Sequence, residues 1–508
     1  MKKRLIALLL AALMLASLAA CGSQSNGETV SDVAKVKLVT LSSPSWPVRD
    51  DWKVWEYIKE GTGMELEIQA IPNSDVGTKI PIMFAAPDTL PDLMALMSKP
   101  MTDKYATQGA LIALDDVEEY MPNYNAFLAS LPEADALRAV TTRKAADGKV
   151  YYSPTIGRES MQGVRAWLYR KDIFEKNNLA VPTNKDELIA VCRELKTLYP
   201  EAYPFSMRDG LNFIEMIGPQ WKPYFSQYAY YDFDNEKWCY GATEDTMLEI
   251  VTFLKQMRDE KLLMADFLTI NTQSWQELIT SDRGFIFPDY QTRIDFFTPL
   301  ARTQNPDFPL SAMVPPIMNE TTGTHSLAKY NLDNYGFVLC NTKDDARIAN
   351  AAKYLDWMYS DEGCELLTWG KEGETYNVVD GKRVFITDET GAQPSTLYGF
   401  SLTGTIARFD SAAIDSYESE LIAEGRDIAL NNMMPEVNPV RWLAFNDEEN
   451  AVMQQEKVEC QSYTQETLSK FILGQEPLSN FDAFVAELYN IGVEKLLDTY
   501  AGAYNRVK

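Results

Sequence analysis

The chain has 508 residues, with 73 Asp+Glu against 47 Lys+Arg, a single His and a formal net charge of −26. At ~100–200 residues per domain this length forms two or more compact bodies, and a hydrophobic fraction of 46% is that of a globular protein rather than a disordered one. The acid surplus excludes a phosphate-backbone binder, so no nucleic-acid partner is expected. One His excludes a multi-His zinc site and leaves His325 as the only candidate for a Ser-His-Asp triad.

Residues 1–20 read as a secretory signal peptide: Lys2, Lys3 and Arg4 precede an apolar run from Leu5 to Ala20 broken only by Ser17. The run is short of the ~20 residues that a spanning helix needs. It ends Leu18-Ala19-Ala20-Cys21-Gly22-Ser23, small residues before a Cys in the manner of a bacterial lipobox. Cys21 is therefore the expected lipidation site, and two acyl chains anchor stably where one holds only marginally. Residues 21–34 are polar and small, as a flexible tether should be. The leader carries three cations and no acid, so the mature chain is near −29. The expected location is the extracytoplasmic face of the bacterial cell membrane, with the body repelled from anionic lipid and held by the anchor. The other five Cys, at 192, 239, 340, 364 and 460, form no CxxC pair. They read as small buried residues, with one disulfide as the alternative.

Lys35 to Leu41 alternates in hydrophobicity and predicts a strand. Trp52 to Lys59 predicts a helix, stopped by Gly61-Thr62-Gly63, and Met64 to Ala70 a second strand, together a parallel βαβ unit. Leu90 to Leu96 reads as a buried strand. Thr183 or Asn184 caps a helix with acids in its first turn and an apolar stripe through Leu188, Cys192 and Leu195. Asp344 to Tyr359 is another amphipathic helix, and the Phe481–Tyr489 stripe is interrupted by Gly492 before Leu496 and Tyr500 resume it.

Several segments in order resemble a known family. They are Asp147-Gly148-Lys149-Val150-Tyr151-Tyr152-Ser153-Pro154, then Trp167-Leu168-Tyr169-Arg170-Lys171-Asp172-Ile173-Phe174, then Val181-Pro182-Thr183 with its helix. Leu355-Asp356-Trp357-Met358-Tyr359-Ser360-Asp361-Glu362-Gly363, Glu372-Gly373-Glu374-Thr375-Tyr376 and Gly492 to Leu497 complete the set. The chain resembles the extracellular solute-binding proteins of bacterial ABC importers, family 1, maltodextrin-binding type, in the long lipoprotein branch linked to oligosaccharide uptake. The resemblance implies an α/β fold of two lobes with a hinge and an interlobe ligand cleft. It places lobe 1 at 35–155 with 330–375 and lobe 2 at 156–329 with 376–508. It implies an oligosaccharide ligand, docking on the ABC permease transmembrane subunits, a monomer, no cofactor and no catalytic residue. Many members of the branch carry a calcium loop after the helix matching Leu188–Leu198. Tyr199-Pro200-Glu201-Ala202-Tyr203-Pro204 lacks the closely spaced oxygens for one, so no metal is expected there. Asp232-Phe233-Asp234-Asn235-Glu236 reads as a solvated hairpin turn.

A sugar site needs aromatic platforms for C–H faces and planar groups for hydroxyls. Tyr199–Tyr240 holds 13 aromatics in 42 residues, against 58 in the whole chain. Trp221, Tyr224 and Tyr228 are the leading platform candidates there, beside Tyr230 and Tyr231, with core packing as the alternative. Ligands of open α/β sheets bind beyond the C-terminal strand ends. That rule adds Trp46 and Arg49 after the first strand, Asn73 and Asp75 after the second, and Asp289, Tyr290 and Arg293 after Gly284-Phe285-Ile286-Phe287. The resemblance adds Asp92, and Arg158 lies beside the first lobe crossing; Trp369 and Trp442 complete the candidates. Arg49, Arg158 and Arg293 could pair a uronate carboxylate bidentately. A surface glycosidase or polysaccharide lyase is the alternative in another class. Pairs such as Asp115-Asp116 arise by chance among 73 acids, and His325 is given no catalytic role.

Overall fold

The computed structural model describes residues 33–43, 47–131, 139–140, 142–155, 165–302, 308–329, 335–389, 392–401 and 404–506, without the side chains of 96–97, 298–302, 335 and 441. The leader, Cys21, most of the tether, Trp46 and Arg158 lie outside the described residues. All the elements below belong to the compact unit that begins at Lys35.

In chain order the described strands are β1 (Lys35–Ser42), β2 (Glu65–Pro72), β3 (Leu93–Ser98), β4 (Leu111–Ile112), β5 (Arg165–Arg170), β6 (Ala229–Asp232), β7 (Lys237–Tyr240), β8 (Ile286–Tyr290), β9 (Leu310–Met313), β10 (Tyr335–Cys340), β11 (Tyr376–Val379) and β12 (Lys382–Phe385). The first sheet runs β2-β1-β3-β10-β4. β1 pairs in parallel with β2 and β3, and β10 lies antiparallel between β3 and β4. The expected βαβ unit is present, with the helix Lys53–Thr62 between β1 and β2 and ended by Gly63 in the left-handed region, φ 68°. Side chains alternate across this sheet. Leu38, Leu93, Phe337 and Leu339 enter one core, while Val39, Met94 and Val338 enter the core on the other face.

β3 starts three residues later than the sequence predicts. Pro91 has no N–H to give a ladder, and Asp92 instead uses its carboxylate to cap Lys37 N at 2.7 Å.

The second sheet is β8-β5-β9, antiparallel throughout. Trp167, Ile286 and Met313 face a large helical core, and Leu168, Phe287 and Leu310 face a smaller one. That large core takes the helix Lys185–Leu198, capped by Asn184, whose side chain accepts from Glu187 N. It also takes the C-terminal helices Phe481–Ile491 and Val493–Asn505, broken at Gly492 with φ 132°. β6 and β7 form the expected hairpin, but its Asp232 is buried rather than solvated. Asp232 accepts from Asn235 N at 3.0 Å and pairs with Lys222 at 3.2 Å. The five cysteines among the described residues are buried and free.

The chain leaves the first sheet beside β10, where Ser153 N donates to Phe337 O at 2.9 Å. A Cβ on Gly336 would lie 1.7 Å from Ser153 O, so only glycine lets the departing segment run this close. The chain next enters a strand at Arg165. It returns between Lys329 and Tyr335, which sits opposite Ser98 at the C-terminal end of β3. The sequence-based boundary at 375/376 does not coincide with a change of core. Tyr376, Phe385, Phe400, Phe409 and Ile414 pack with Val36 and Leu38, whereas Ile422 packs with Leu168.

Candidate functional site

Arg165 is the first residue of β5 and stands opposite Tyr290, the last residue of β8. Phe205 bridges Ile286 in parallel, so the segment from Phe205 ends at Arg208 and Asp209 beside the C-terminal end of β8. Ser153 and Tyr335 both lie towards the C-terminal edge of the first sheet's parallel strands, and Arg165 opens β5. Strand ends in α/β folds are where ligands are received.

Asp289 is the anchor of the edge and is fully buried. Arg208 holds it bidentately, Nε to Oδ2 at 2.5 Å and Nη2 to Oδ1 at 2.9 Å. Arg293 Nε approaches at 3.4 Å and Arg165 Nη1 at 3.9 Å, and the Tyr290 backbone N donates at 2.6 Å. Burial pushes this carboxyl up, but the hydrogen bond and charge of Arg208, with the charges of Arg293 and Arg165, outweigh it and hold it below the usual carboxylate range. Beneath lies the buried Trp275 ring, with the Arg208 and Arg293 guanidinium carbons 5.5 Å and 5.7 Å from it.

Tyr290 is the exposed part of this cluster, at 38% of its surface. The Arg165 guanidinium lies 3.6 Å from its ring centroid and fixes the ring. The part of the ring that stays exposed beside Arg165 is suited to the C–H face of a sugar ring.

Asp289, Tyr290 and Arg293 are thus brought together as expected from the sequence, and the other described candidates are dispersed. Asp92 is a buried sheet residue, clamped by Arg347 Nε at 2.7 Å at the N-terminal end of β3, the end opposite to a ligand edge. Trp221 is fully buried against Phe253, and Trp369 is stacked on Phe385 with its Nε1 donating to Asp410 Oδ2 at 2.7 Å. Both are core, since each is enclosed by its own helical layer; Tyr230 is buried as well. Arg49 is exposed and paired with Asp51 at 2.6 Å, and Asp75 pairs with Lys79 at 3.1 Å. Asn73 is exposed and Trp442 half-buried. Tyr224 and Tyr228 line a separate cavity of about 190 Å³. His325 Nδ1 contacts Pro315 O at 2.6 Å and belongs to a loop.

The family model for bacterial extracellular solute-binding proteins matches residues 50–363. The chain belongs to that family. A curated relative, Lipoprotein LipO of Bacillus subtilis, is 21% identical over 537 residues, covering 100% of this chain and 99% of the relative. The extracellular solute-binding fold also appears in solved structures. The alginate-binding protein AlgQ2 superposes with TM-score 0.74 at 21% identity, over 93% of this chain and 98% of its own. The S. pneumoniae ABC-transporter substrate-binding protein FusA, in complex with kestose, gives 0.73 at 19% identity, over 93% and 100%.

Within this solute-binding fold, the sequence reading missed Arg165 and Arg208. The signals were present: Arg165 is a lone charge opening the apolar run Ala166-Trp167-Leu168, and Arg208-Asp209-Gly210 follows Pro204-Phe205-Ser206-Met207, uncharged throughout. Neither charge could be assigned to the edge until the antiparallel register set Arg165 against Tyr290.

Proposed function

We propose that this solute-binding protein serves an ABC importer, capturing an oligosaccharide at the Arg165–Arg208–Tyr290–Arg293 edge and delivering it unchanged to the membrane permease subunits. The observation that carries the reading is Tyr290, an exposed ring held by a stacked arginine at the C-terminal end of β8. Family membership supports the transport role, and the similar structures include an alginate-binding protein and a substrate-binding protein in complex with kestose. The ligand lies between a first lobe, 35–155 with 335–414, and a second, 165–329 with 420–506, and closure about the crossings encloses it. Cys21 carries the lipid anchor, consistent with a relative named as a lipoprotein. The protein acts as a monomer and is not an enzyme.

Titration calorimetry of the mature chain against neutral and acidic oligosaccharides tests this. Saturable 1:1 binding of a ligand recovered intact is expected. Shortened or unsaturated products at catalytic turnover would establish the glycosidase or lyase reading instead.

A further inference from the structure

The cavity of about 190 Å³ beside Tyr224 and Tyr228 shares no residue with the Tyr290 edge. Lys457, on the helix Glu456–Ile472, lines it half-buried, and among the described residues its ammonium has no hydrogen-bond or ion-pair partner. Burial holds this amine below the ordinary lysine range, with no carboxylate to oppose the effect. A desolvated cation without a partner is costly, and it is the recognition element for an anion.

The rest of the lining supplies donors together with two carboxylates, Glu215 and Glu436. The Tyr228 hydroxyl accepts from Gln465 Nε2 at 2.8 Å, leaving its own proton to give, and burial keeps that proton on by raising the phenol to about 12. The Tyr224 hydroxyl and the Gln461 amide have no partner among the described residues. Ser226 contributes a further hydroxyl, while the exposed Glu436 at the rim offers an acceptor. Size restricts the guest: a cavity of ~150 Å³ holds one benzene ring, so this one holds a single substituted six-membered ring.

We infer that this cavity binds a single hexuronate, its carboxylate on Lys457 and its ring hydroxyls on Tyr224, Tyr228, Ser226 and Gln461. The inference goes beyond the oligosaccharide reading and stands without it.

The test is titration calorimetry of the mature chain with D-glucuronate, D-galacturonate and D-mannuronate, each beside its neutral hexose. At least one uronate is expected to bind 1:1 in the parent and in Tyr290→Ala. Binding should weaken about tenfold or more for the neutral hexose and in Lys457→Gln, which keeps the parent Tm, and should return in Lys457→Arg. The inference is overturned if no uronate saturates the protein by about 10 mM, a very weak affinity. It is overturned equally if Lys457→Gln binds as the parent does, or if Tyr290→Ala abolishes binding while Lys457→Gln does not. If Lys457→Gln fails to fold, Lys457→Arg decides: failure of a folded arginine variant to bind would also overturn it.

Discussion

Arg165 and Tyr290 face each other across β5 and β8, with the guanidinium 3.6 Å from the ring centroid. The stack fixes an exposed ring that no apolar packing would hold, and Asp289 in turn draws the arginines to this edge. The platform is therefore positioned by charge rather than by burial, which is uncommon for an aromatic side chain.

Truncating the platform separates binding from folding. Tyr290→Ala removes a surface ring, so stability should change by under ~1 kcal/mol. Affinity for the oligosaccharide ligand should fall by about tenfold or more, roughly 1.4 kcal/mol, as for a central aromatic contact. Calorimetric titration beside thermal melting checks both. Arg165→Ala, which frees the ring without removing it, should give a smaller loss of affinity than Tyr290→Ala.

The anchor below the platform gives a pH signature. The folded Asp289 carboxyl titrates below the unfolded one, near pH 3.9. Between the two values the unfolded chain binds more protons, so the contribution is complete above about pH 4 and is lost as pH falls through the folded value. Asp289→Asn leaves Arg293 buried without its counter-charge and Arg208 with Asp209 alone, and should cost ~3–5 kcal/mol at pH 7. In urea unfolding, the gap between parent and variant should narrow as pH drops below 4. A gap independent of pH would show that Asp289 holds the site by shape alone.

The two buried tryptophans should respond differently to loss of the indole N–H. Trp221 Nε1 is buried with no partner, whereas Trp369 Nε1 donates to the Asp410 carboxylate. Both Phe variants lose volume, but only Trp369→Phe also loses a bond to a charged acceptor, worth ~1.5–3 kcal/mol. Trp369→Phe should therefore be the more destabilising by about 1–2 kcal/mol in denaturant titration. Neither change should alter ligand affinity.

The contrast explains what the sequence could carry. Periodicity and caps located β1, β2 and the helix Lys185–Leu198, because these depend on near neighbours such as Asn184 and Glu187. The density of aromatics between Tyr199 and Tyr240 pointed to a site, yet Trp221 and Tyr230 proved to be core. Aromatic density follows burial as readily as function. Strand-end position singled out Asp289, Tyr290 and Arg293, which cluster at one sheet edge, but it could not supply Arg165, whose place depends on pairing with a strand some 120 residues away in sequence.

Asp92 tests the same distinction on the first sheet. Its carboxylate accepts from Lys37 N and from Arg347 Nε, both at 2.7 Å, at the strand end away from the ligand edge. Asp92→Ala leaves the Lys37 amide and Arg347 Nε without their acceptor while Arg347 Nη2 keeps Leu90 O at 3.0 Å, a loss of ~1–3 kcal/mol for unsatisfied donors. Folded variant protein, collected well below its lowered Tm, should bind the oligosaccharide with parental affinity. A loss of affinity with unchanged stability would return Asp92 to the binding surface.

The anchor can be examined in cells. Small residues before Cys21 and the polar stretch after it suit cleavage and acylation at that position. Cys21→Ala keeps the apolar run but removes the thiol, so export should continue while acylation stops. With a mature charge near −29, the unanchored body has no electrostatic attraction to anionic lipid. Fractionation should therefore find the parent with membranes, labelled by a fatty-acid probe, and the variant unlabelled in the soluble exported fraction. An unlabelled parent, or a variant that still sediments with membranes, would mean that contacts other than an acyl chain hold the protein at the surface.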